Sequence, residues 1–357
     1  MSSRRKNHCF VVVLFFWLML ATLPIQCQND RKITKLAEGV YEIEHTSHPF
    51  VNSNTTVIIG DRQVFVVDTC FRPLLAEEDI AQIHQWTNKP VSFVLNTHFH
   101  NDHNLGNRAY ASAFPAVTII AHTETKRDMD AFGPSSARRT EGDLAPLREM
   151  LSTGKAPDGT ALSNEDTTAV KNMLNDSVPV LEELKKTNFQ SATLTFDHDF
   201  TIDLGNREVQ VKFLGRGNTA GDAIAYLPKE KIVIAGDLVV YPIPYILDGY
   251  PVEWIQTLQN LSQLDADTII PGHGPVMHDK NYVYLLRDLM QSAVDQMNTK
   301  LRQTRPAMAQ NLDDVKGSVD LTAFRPRFAG SDKDLAAQFD DMSSHLVKLV
   351  FLEASLR

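Results

Sequence analysis

The sequence predicts an α/β protein with a layered architecture. Strand and helix patterns alternate over residues 63–121, an order that is typical of sheets covered by helices. The run from Val64 to Val67 is apolar without alternation, which indicates a strand buried on both faces. About 330 residues follow the N-terminal segment without a linker or an internal repeat, so we expect one large domain with insertions.

The first 27 residues have the layout of a secretory signal peptide. Three basic side chains at positions 4–6 precede an apolar run from Cys9 to Leu20, and polar residues follow from Gln28. We therefore expect an exported protein, either periplasmic or secreted. An uncleaved N-terminal anchor is the alternative, because the apolar run extended to residue 25 is just long enough to span a bilayer. Lipidation at Cys27 is a minor alternative, since the residue before it is not small.

Charge and cysteine content narrow the classes of partner. Three of the 35 basic side chains and none of the 44 acids lie in residues 1–27, so the rest of the chain has a net charge of −12. Such a chain is not a nucleic-acid binder by charge, and we expect a small-molecule substrate instead. Only Cys70 lies beyond residue 27, so no disulfide framework is predicted. The apolar core, with metal as a further contributor, must then stabilise the fold.

The first half of the chain predicts alternating strands and helices. Strands are expected at residues 35–44, 54–60, 63–68, 91–95 and 117–121. Helices are expected at residues 74–86 and near 107–112. Asp68 stands at the end of its strand, where it serves either as a cap for the next segment or as a support beneath a site.

Residues 123–190 differ in composition and predict a helical insertion. Prolines and glycines interrupt charged segments, and helices are expected at residues 144–152, 163–175 and 178–186. A stretch of this length is more than a simple connection. We expect it to lie beside the site and to act as a lid or a substrate wall.

The second half predicts further strands and then helices. Strands are expected at residues 192–196, 199–203, 208–214, 223–227, 231–235 and 268–270, with a helix at 252–264. Two long C-terminal helices are expected at residues 281–302 and 333–356. The second carries an apolar stripe at Leu335, Phe339, Met342, Leu346 and Leu349. This spacing favours packing on the domain, while a homo-oligomer surface is left open.

Three histidines and one acid fall within residues 98–103, directly after the strand at 91–95. His98 and His100, two apart on an extended backbone, project to the same side and can hold one ion of borderline softness. Asp102 and His103 must point elsewhere and can hold a second ion. The alternative is a polar loop with surface histidines. Four potential ligands in six positions favour a metal site instead, with zinc as the expected cofactor.

Three later motifs also follow predicted strands. Residues 215–222 are glycine-rich but lack the spacing of a phosphate loop. Asp237 follows Gly236 at the end of an apolar strand, and His273 stands between two glycines. In this order the four motifs resemble the metallo-β-lactamase superfamily, over residues 33–275.

The resemblance implies a fold, a domain division and a ligand set. The fold is an αββα sandwich that occupies residues 28–280, includes the helical insertion, and carries residues 281–357 as helices packed on it. The implied ligands of the first metal are His98 and His100, and those of the second are Asp102, His103 and His273. Asp237 takes the place of an acid that bridges both ions, and Asp68 that of a buried acid beneath the site.

One position departs from the family pattern. Asn218 stands where family members usually have a histidine, and an amide oxygen is a weaker zinc ligand than imidazole. We therefore expect one or two zinc ions, with the first site weaker. Asn218 could instead serve as an oxyanion donor through its NH₂ group. His122, His45 and His48 are substitutes for the missing imidazole, although an ordinary surface or core role is the simpler interpretation of each.

The resemblance also implies hydrolysis. Zinc lowers the pKa of a bound water, so that hydroxide attacks a carbonyl while Asp102 or Asp237 moves the proton. The substrate would be a lactam, lactone, ester or thioester. Export and the second site resemble periplasmic β-lactamases, whereas Asp237 is what lactonases and glyoxalase II-like thioesterases carry. The alternatives are a true β-lactamase and a non-catalytic metal-binding relic, which only Asn218 supports.

Overall fold

The computed structural model describes residues 31–46, 52–303, 312 and 316–355. The predicted signal peptide and His48 therefore lie outside the described residues. Among the helices of the described residues, none combines the length and the apolar character needed to cross a membrane.

The first sheet has seven strands that follow one another in chain order. These are β1 (Arg31–Ala37), β2 (Val40–His45), β3 (Thr55–Ile59), β4 (Val64–Val67), β5 (Val91–Leu95), β6 (Thr118–His122) and β7 (Leu194–Phe196). Strands β1 to β4 pair antiparallel, and β4 to β7 pair parallel. The single strand predicted at 35–44 was wrong, because the chain reverses between β1 and β2. Gly39 adopts a left-handed φ of 70° in this turn, a conformation that glycine allows at little cost.

The second sheet has five strands in the order β12, β11, β10, β9, β8. Their bounds are β8 (Phe200–Asp203), β9 (Glu208–Phe213), β10 (Ala223–Leu227), β11 (Ile232–Val240) and β12 (Thr268–His273). Strand β11 is longer than predicted, so Asp237 lies within it rather than at its end. The register between β11 and β12 shifts on both sides of Gly236, and such an irregularity re-aims the side chains next to it.

The helices lie between and after these strands. They are α1 (Pro73–Trp86), α2 (Asn101–Asn104), α3 (Asn107–Ala113), α4 (Thr123–Phe132), α5 (Ser136–Thr153), α6 (Asn164–Lys186), α7 (Pro251–Gln263), α8 (Asn281–Gln303), α9 (Arg325–Ala329) and α10 (Lys333–Ser355). The predicted insertion is helical, but its division into helices differs from the prediction. Pro146 lies inside α5 and Pro179 inside α6, whereas the predicted helices began at residues 144 and 178, with these prolines in their first turns. Proline is unfavourable inside a helix because it lacks the backbone N–H, but a long, well-packed helix can tolerate it.

Three apolar cores separate the layers of the fold. Phe65 and Leu95 of the first sheet meet Val211 and Ile234 of the second in the core between the sheets. On β4, Val64 and Val66 belong to the core on the outer side of the first sheet, while Phe65 and Val67 face the second sheet. The prediction of a strand buried on both faces is therefore confirmed.

Helices cover both outer faces of the sheet pair. Ile83 of α1 and Tyr110 of α3 pack on the first sheet. Trp254 of α7, Leu286 of α8 and Phe339 of α10 pack in one core on the second sheet. The order helix, sheet, sheet, helix confirms the αββα sandwich, and the apolar stripe of α10 faces the core as predicted.

Candidate metal centre

The predicted ligands meet at one edge of the two sheets. His98 and His100 lie in the loop after β5, and Asp102 and His103 lie on the short helix α2 that follows. Strand β11 brings Asp237 to the same edge, and β12 ends on His273. We call Asp102, His103 and His273 the Asp102 half of the centre, and His98, His100 and Asn218 the Asn218 half.

The Asp102 half is tightly gathered. His273 Nε2 lies 3.0 Å from Asp102 Oδ2 and 3.3 Å from His103 Nε2. Asp237 Oδ1 lies 3.2 Å from His103 Nε2 and 3.5 Å from His273 Nε2. Since ligand atoms bound to one tetrahedral ion are separated by such distances, these four side chains can share a cation.

The Asn218 half meets the other oxygen of the same carboxylate. His98 Nε2 lies 2.9 Å from His100 Nδ1 and 3.5 Å from Asp237 Oδ2. Asn218 is fully buried, and its Nδ2 donates to Asp237 Oδ2 at 3.4 Å. Asp237 therefore presents one oxygen to each half, which is the arrangement of a bridging carboxylate.

Hydrogen bonds behind the Asp102 half orient its imidazoles. His103 Nδ1 donates to Asp68 Oδ2 at 2.7 Å, and His273 Nδ1 donates to the Asn52 carbonyl at 3.0 Å. Asp68 is itself held by the backbone N–H and the hydroxyl of Thr97, each at 2.8 Å. These bonds leave Nε2 of each histidine facing the centre, as metal-binding histidines require. Asp68 thus lies beneath the site rather than capping the next segment.

The charges of the centre favour a cation. Burial opposes protonation of His103, but Asp237, Asp68 and Asp102 raise its pKa well above the usual value. Carboxylates that stabilise a proton at this position would equally stabilise a metal ion. Burial and the neighbouring histidines lower the pKa of His98 well below its usual value, so it is neutral, the form of histidine that binds metals.

Two glycines leave the space that the Asp237 carboxylate occupies. Gly236 has a left-handed φ of 51°, and a Cβ there would lie 2.6 Å from Thr97. A Cβ on Gly272 would collide with Asp237 Oδ1. Only glycine at both positions lets β11 and β12 approach closely enough for the carboxylate to stand between the halves.

The donor set fits zinc. Asp237 Oδ1 and Asn218 Oδ1 are both buried and have no hydrogen-bond partner, although buried oxygen atoms almost always have one. Two groups of side chains, His98 with His103 and Asp237, and Asp102 with His103 and His273, bring their ligand atoms within 4.8 Å of one another. Imidazole nitrogen and carboxylate oxygen are ordinary zinc ligands.

Comparisons with known proteins agree with this geometry. The model of the metallo-beta-lactamase superfamily matches residues 48–273, which is more than half of the chain. The chain belongs to the metallo-β-lactamase superfamily. The match ends on His273, so it includes each of the predicted ligands.

Individual relatives are distant. A linear primary-alkylsulfatase of a Pseudomonas species is 27% identical over 259 residues, which cover 69% of this chain and 43% of that protein. A type 2 metallo-beta-lactamase of Bacillus cereus is 21% identical over 68% of this chain and 77% of its own length. The chain thus spans less than half the length of the alkylsulfatase.

Solved structures show the same fold. A metallo-beta-lactamase from Pontibacter korlensis superposes with a TM-score of 0.53 at 19% identity, covering 73% of this chain and 99% of its own. The metallo-beta-lactamase FIM-1 from Pseudomonas aeruginosa, in a mono-zinc form, gives 0.52 at 17% identity, covering 74% and 96%. At these identities the likeness concerns the fold alone.

The substitutes considered for the missing imidazole lie elsewhere. His122 accepts a hydrogen bond from the backbone of Glu124 at the start of α4, and its ring stacks on Phe213 at 4.2 Å. His45 belongs to a separate buried cluster with Asp79. The ordinary interpretation of His122 is therefore the correct one, and neither His122 nor His45 supplies an imidazole beside Asn218.

Sequence reasoning missed the side chains around the opening of the centre. Phe99 contacts the His100 ring at 4.7 Å, and Phe132 of the insertion contacts Phe99 at 5.6 Å. Across from them, Tyr245 lies 6.1 Å from the His100 ring, and Asp248 Oδ2 lies 3.4 Å from His100 Nε2. None of these residues forms a motif, and only the position of Phe99 inside the histidine cluster could have singled one out.

Proposed function

We propose that this chain is an exported, zinc-dependent hydrolase that acts on a small molecule through attack on a carbonyl carbon. One observation carries the proposal: the ligand atoms of the two halves converge on Asp237 in a buried, acid-rich pocket. Superfamily membership supports it. The export part rests on the basic and apolar pattern of residues 1–27.

Each half would hold one ion. His98, His100 and Asp237 would bind one ion, with the Asn218 oxygen as a weak fourth ligand. The side chains of the Asp102 half, together with Asp237, would bind the other. When bound, zinc supplies Lewis acidity and lowers the pKa of a coordinated water towards neutrality.

Asp102 is the best placed proton acceptor. Although burial opposes ionisation, His103 and His273 hold the pKa of Asp102 below its usual range, so its carboxylate is charged at neutral pH. Its side chain is 23% exposed, whereas that of Asp237 is 1% exposed. The Asp102 carboxylate can therefore accept a hydrogen bond from an incoming water and orient it, while Asp237 keeps the two halves in place.

Asn218 is better suited to metal binding than to oxyanion stabilisation. Its NH₂ group already donates to Asp237, while its Oδ1 is buried without a hydrogen-bond partner. One of its two N–H groups is engaged by Asp237, so only the other remains for a developing oxyanion. The unpartnered oxygen would gain a partner from a cation.

Aromatic side chains favour a substrate with an apolar portion. Phe132 and Tyr245 are 43% and 45% exposed, which leaves large apolar surface at the opening of the centre. Phe132 lies at the end of α4, so the helical insertion would form part of this wall. A carbonyl compound with an aliphatic or aromatic group would bury this surface.

A sulfate ester is the second candidate substrate. The alkylsulfatase relative motivates it, and the same apolar opening suits an alkyl chain. Arg139 lies with its guanidinium 5.7 Å from the centroid of the Phe132 ring and brings a cation to the rim. A charged sulfate would be attracted to this residue.

A substrate panel tests the proposal. The purified, zinc-loaded chain would be assayed on a β-lactam, a lactone, a thioester and an alkyl sulfate. We expect turnover on at least one carbonyl substrate and its loss in a His103→Ala variant, with Lys348→Ala on α10 as the control that keeps activity. Turnover on the alkyl sulfate alone would favour the second candidate. No turnover on any of the four, with metal bound, would overturn the hydrolase proposal for these classes.

A further inference from the structure

We infer that His45, Cys70 and Asp79 form a second, closed metal site that is separate from the centre at the sheet edge. His45 is the last residue of β2, Cys70 lies between β4 and α1, and Asp79 lies on α1. Their relative exposures are 7%, 0% and 0%. One ligand atom from each side chain lies within 4.8 Å of the other two.

The polar atoms of this cluster do not satisfy one another. His45 Nε2 lies 3.0 Å from Asp79 Oδ2, yet Oδ2 has no hydrogen-bond partner, because the orientation is not that of a hydrogen bond. His45 Nδ1 is also buried without a partner. The Cys70 thiol donates outside the cluster, to the Arg72 carbonyl at 3.5 Å, and His45 Nε2 also lies 3.4 Å from the Thr55 hydroxyl. Close spacing without hydrogen bonds is what ligand atoms directed at a common ion show, and Asp237 shows it at the candidate metal centre.

The charges around the cluster suit a divalent cation. A thiolate and a carboxylate together neutralise one such ion. Arg31 NH1 binds Asp79 Oδ1 at 3.1 Å, which fixes the carboxylate and leaves Oδ2 for a metal. Burial raises the pKa of the Cys70 thiol well above its usual value, so the sulfur would lose its proton only to a bound metal.

Zinc is the ion that this donor set fits best. Sulfur, imidazole nitrogen and carboxylate oxygen together select a borderline metal, and hard cations such as magnesium do not take thiolate. The Tyr110 hydroxyl is fully buried without a hydrogen-bond partner, and Asp79 and Cys70 both raise its pKa after burial does. Tyr110 therefore lies near enough to feel the charges of Asp79 and Cys70, while the ligands that the protein offers to zinc are the three side chains of the cluster.

The site would be structural rather than catalytic. Each of the three ligands is buried, so no substrate can reach an ion between them. The ion would join β2, α1 and the segment after β4. In that segment Asp68 and Cys70 have left-handed φ angles of 58° and 57°, which are costly for residues other than glycine. A metal on Cys70 would hold this strained segment in place, and with it the Asp68 carboxylate beneath His103.

Cobalt substitution of the full chain tests the site. Sulfur bound to cobalt gives a charge-transfer absorption in the near ultraviolet, and no side chain of the candidate metal centre offers sulfur. We expect this absorption in the wild type, its loss in Cys70→Ala, and its retention in Cys27→Ala as the matched control. Metal analysis should find one zinc per chain fewer in Cys70→Ala than in Cys27→Ala.

The outcomes are decisive whether or not Cys70→Ala folds. Asp79→Asn keeps the thiol and removes the charge that balances the ion, so we expect it to weaken cobalt binding at the sulfur by about tenfold or more. If the wild type shows no sulfur-to-cobalt absorption with cobalt in excess, or if Cys27→Ala abolishes it, the site does not exist. Because the absorption that is lost in Cys70→Ala and kept in Cys27→Ala comes from the Cys70 sulfur, which lies outside the candidate metal centre, this result does not depend on the proposed hydrolase activity.

Discussion

The two halves of the candidate metal centre share Asp237 but differ in how their ligands are supported. In the Asp102 half, the outer nitrogen of each histidine bonds to a fixed acceptor, Asp68 or the Asn52 carbonyl. In the Asn218 half, His98 Nδ1 meets only the Thr97 hydroxyl at 3.1 Å. The two halves therefore differ in more than the asparagine at position 218. The hydrogen bonds on the outer imidazole nitrogens also determine how well each ligand is oriented.

His100 has the weakest support of the four histidines. Its outer contact is Asp248, a carboxylate that is 57% exposed. Exposed partners are mobile and contribute little to orientation. We therefore expect the Asp102 half to bind zinc more tightly and to carry most of the chemistry, and each prediction below tests that order.

The largest effect is expected from the residue that both halves share. Asp237→Ala would remove a ligand from both ions and open a cavity in the acid-rich pocket. We expect zinc content to fall at both halves and kcat/KM on the best panel substrate to fall on the order of 10³-fold. Asp334→Ala is the matched control, because that aspartate is exposed on α10 and contacts none of the proposed ligands. Wild-type zinc content in Asp237→Ala would break the description of a shared carboxylate.

A ligand of each half provides the direct comparison. His273→Ala removes a supported histidine, and His100→Ala removes the least supported one. We expect kcat/KM to fall by about 10²-fold in the first and about tenfold in the second, with zinc affinities in the same order. Titration with a competing chelator and steady-state kinetics measure both quantities. The reverse order would show that the Asn218 half carries the chemistry.

A change at Asp68 tests the hydrogen bonds behind the imidazoles without removing a proposed metal ligand. Asp68→Asn leaves each ligand in place but removes the negative charge and one of the two oxygens that accept from His103 Nδ1–H and from Thr97. We expect zinc affinity of the Asp102 half to fall by about 10- to 100-fold and that of the Asn218 half to fall less, because Asp68 reaches His98 only through the Thr97 hydroxyl. Thr69→Ser, on the neighbouring residue, controls for disturbance of the segment. An equal loss at both halves would mean that Asp68 supports the fold rather than one histidine.

A histidine at position 218 should bring the zinc affinity of the Asn218 half closer to that of the Asp102 half. Asn218→His would supply the missing imidazole at a position that is fully buried and next to Asp237. We expect about tenfold tighter zinc binding at the Asn218 half and more zinc per chain at limiting metal. Metal analysis after dialysis measures the difference. Two tightly held ions at the centre in the wild type would contradict the weaker Asn218 half.

Glu42 lies outside both halves, so its ionisation affects the pH dependence of folding stability and not that of the centre. Burial and the neighbouring Glu44 raise the pKa of Glu42 on β2 to about 7. Ionisation of Glu42 therefore costs stability in the folded state, and the free energy of unfolding should fall as pH rises from 4.5 through about 7. Glu42→Gln should remove about 1–3 kcal/mol of this loss at pH above 7 and change little below 4.5. Urea unfolding with a chelator present measures it, and equal stabilities across this range would contradict the raised pKa.

The sequence by itself determined the layered α/β fold and the position in the chain of the candidate metal ligands. Strands and helices follow from apolar periodicity, which depends on neighbouring residues, and four of the ligands stand within residues 98–103 directly after a strand. The predictions that were wrong also concern local secondary structure. The turn at Gly39 divides a run that alternates like one strand, and Pro146 and Pro179 lie inside long helices.

Only the tertiary structure decided which side chains meet. His45, Cys70 and Asp79 come from three elements, and periodicity carries no information about contacts of that kind. The same holds for the Asp68 bond to His103, since an acid at a strand end serves equally well as a cap. The sequence alone identified Asn218 as a departure from the family pattern. It did not show that the side-chain oxygen of Asn218 lacks a hydrogen-bond partner. Hydrogen-bond satisfaction depends on what packs around a buried atom, and packing is a property of the folded chain.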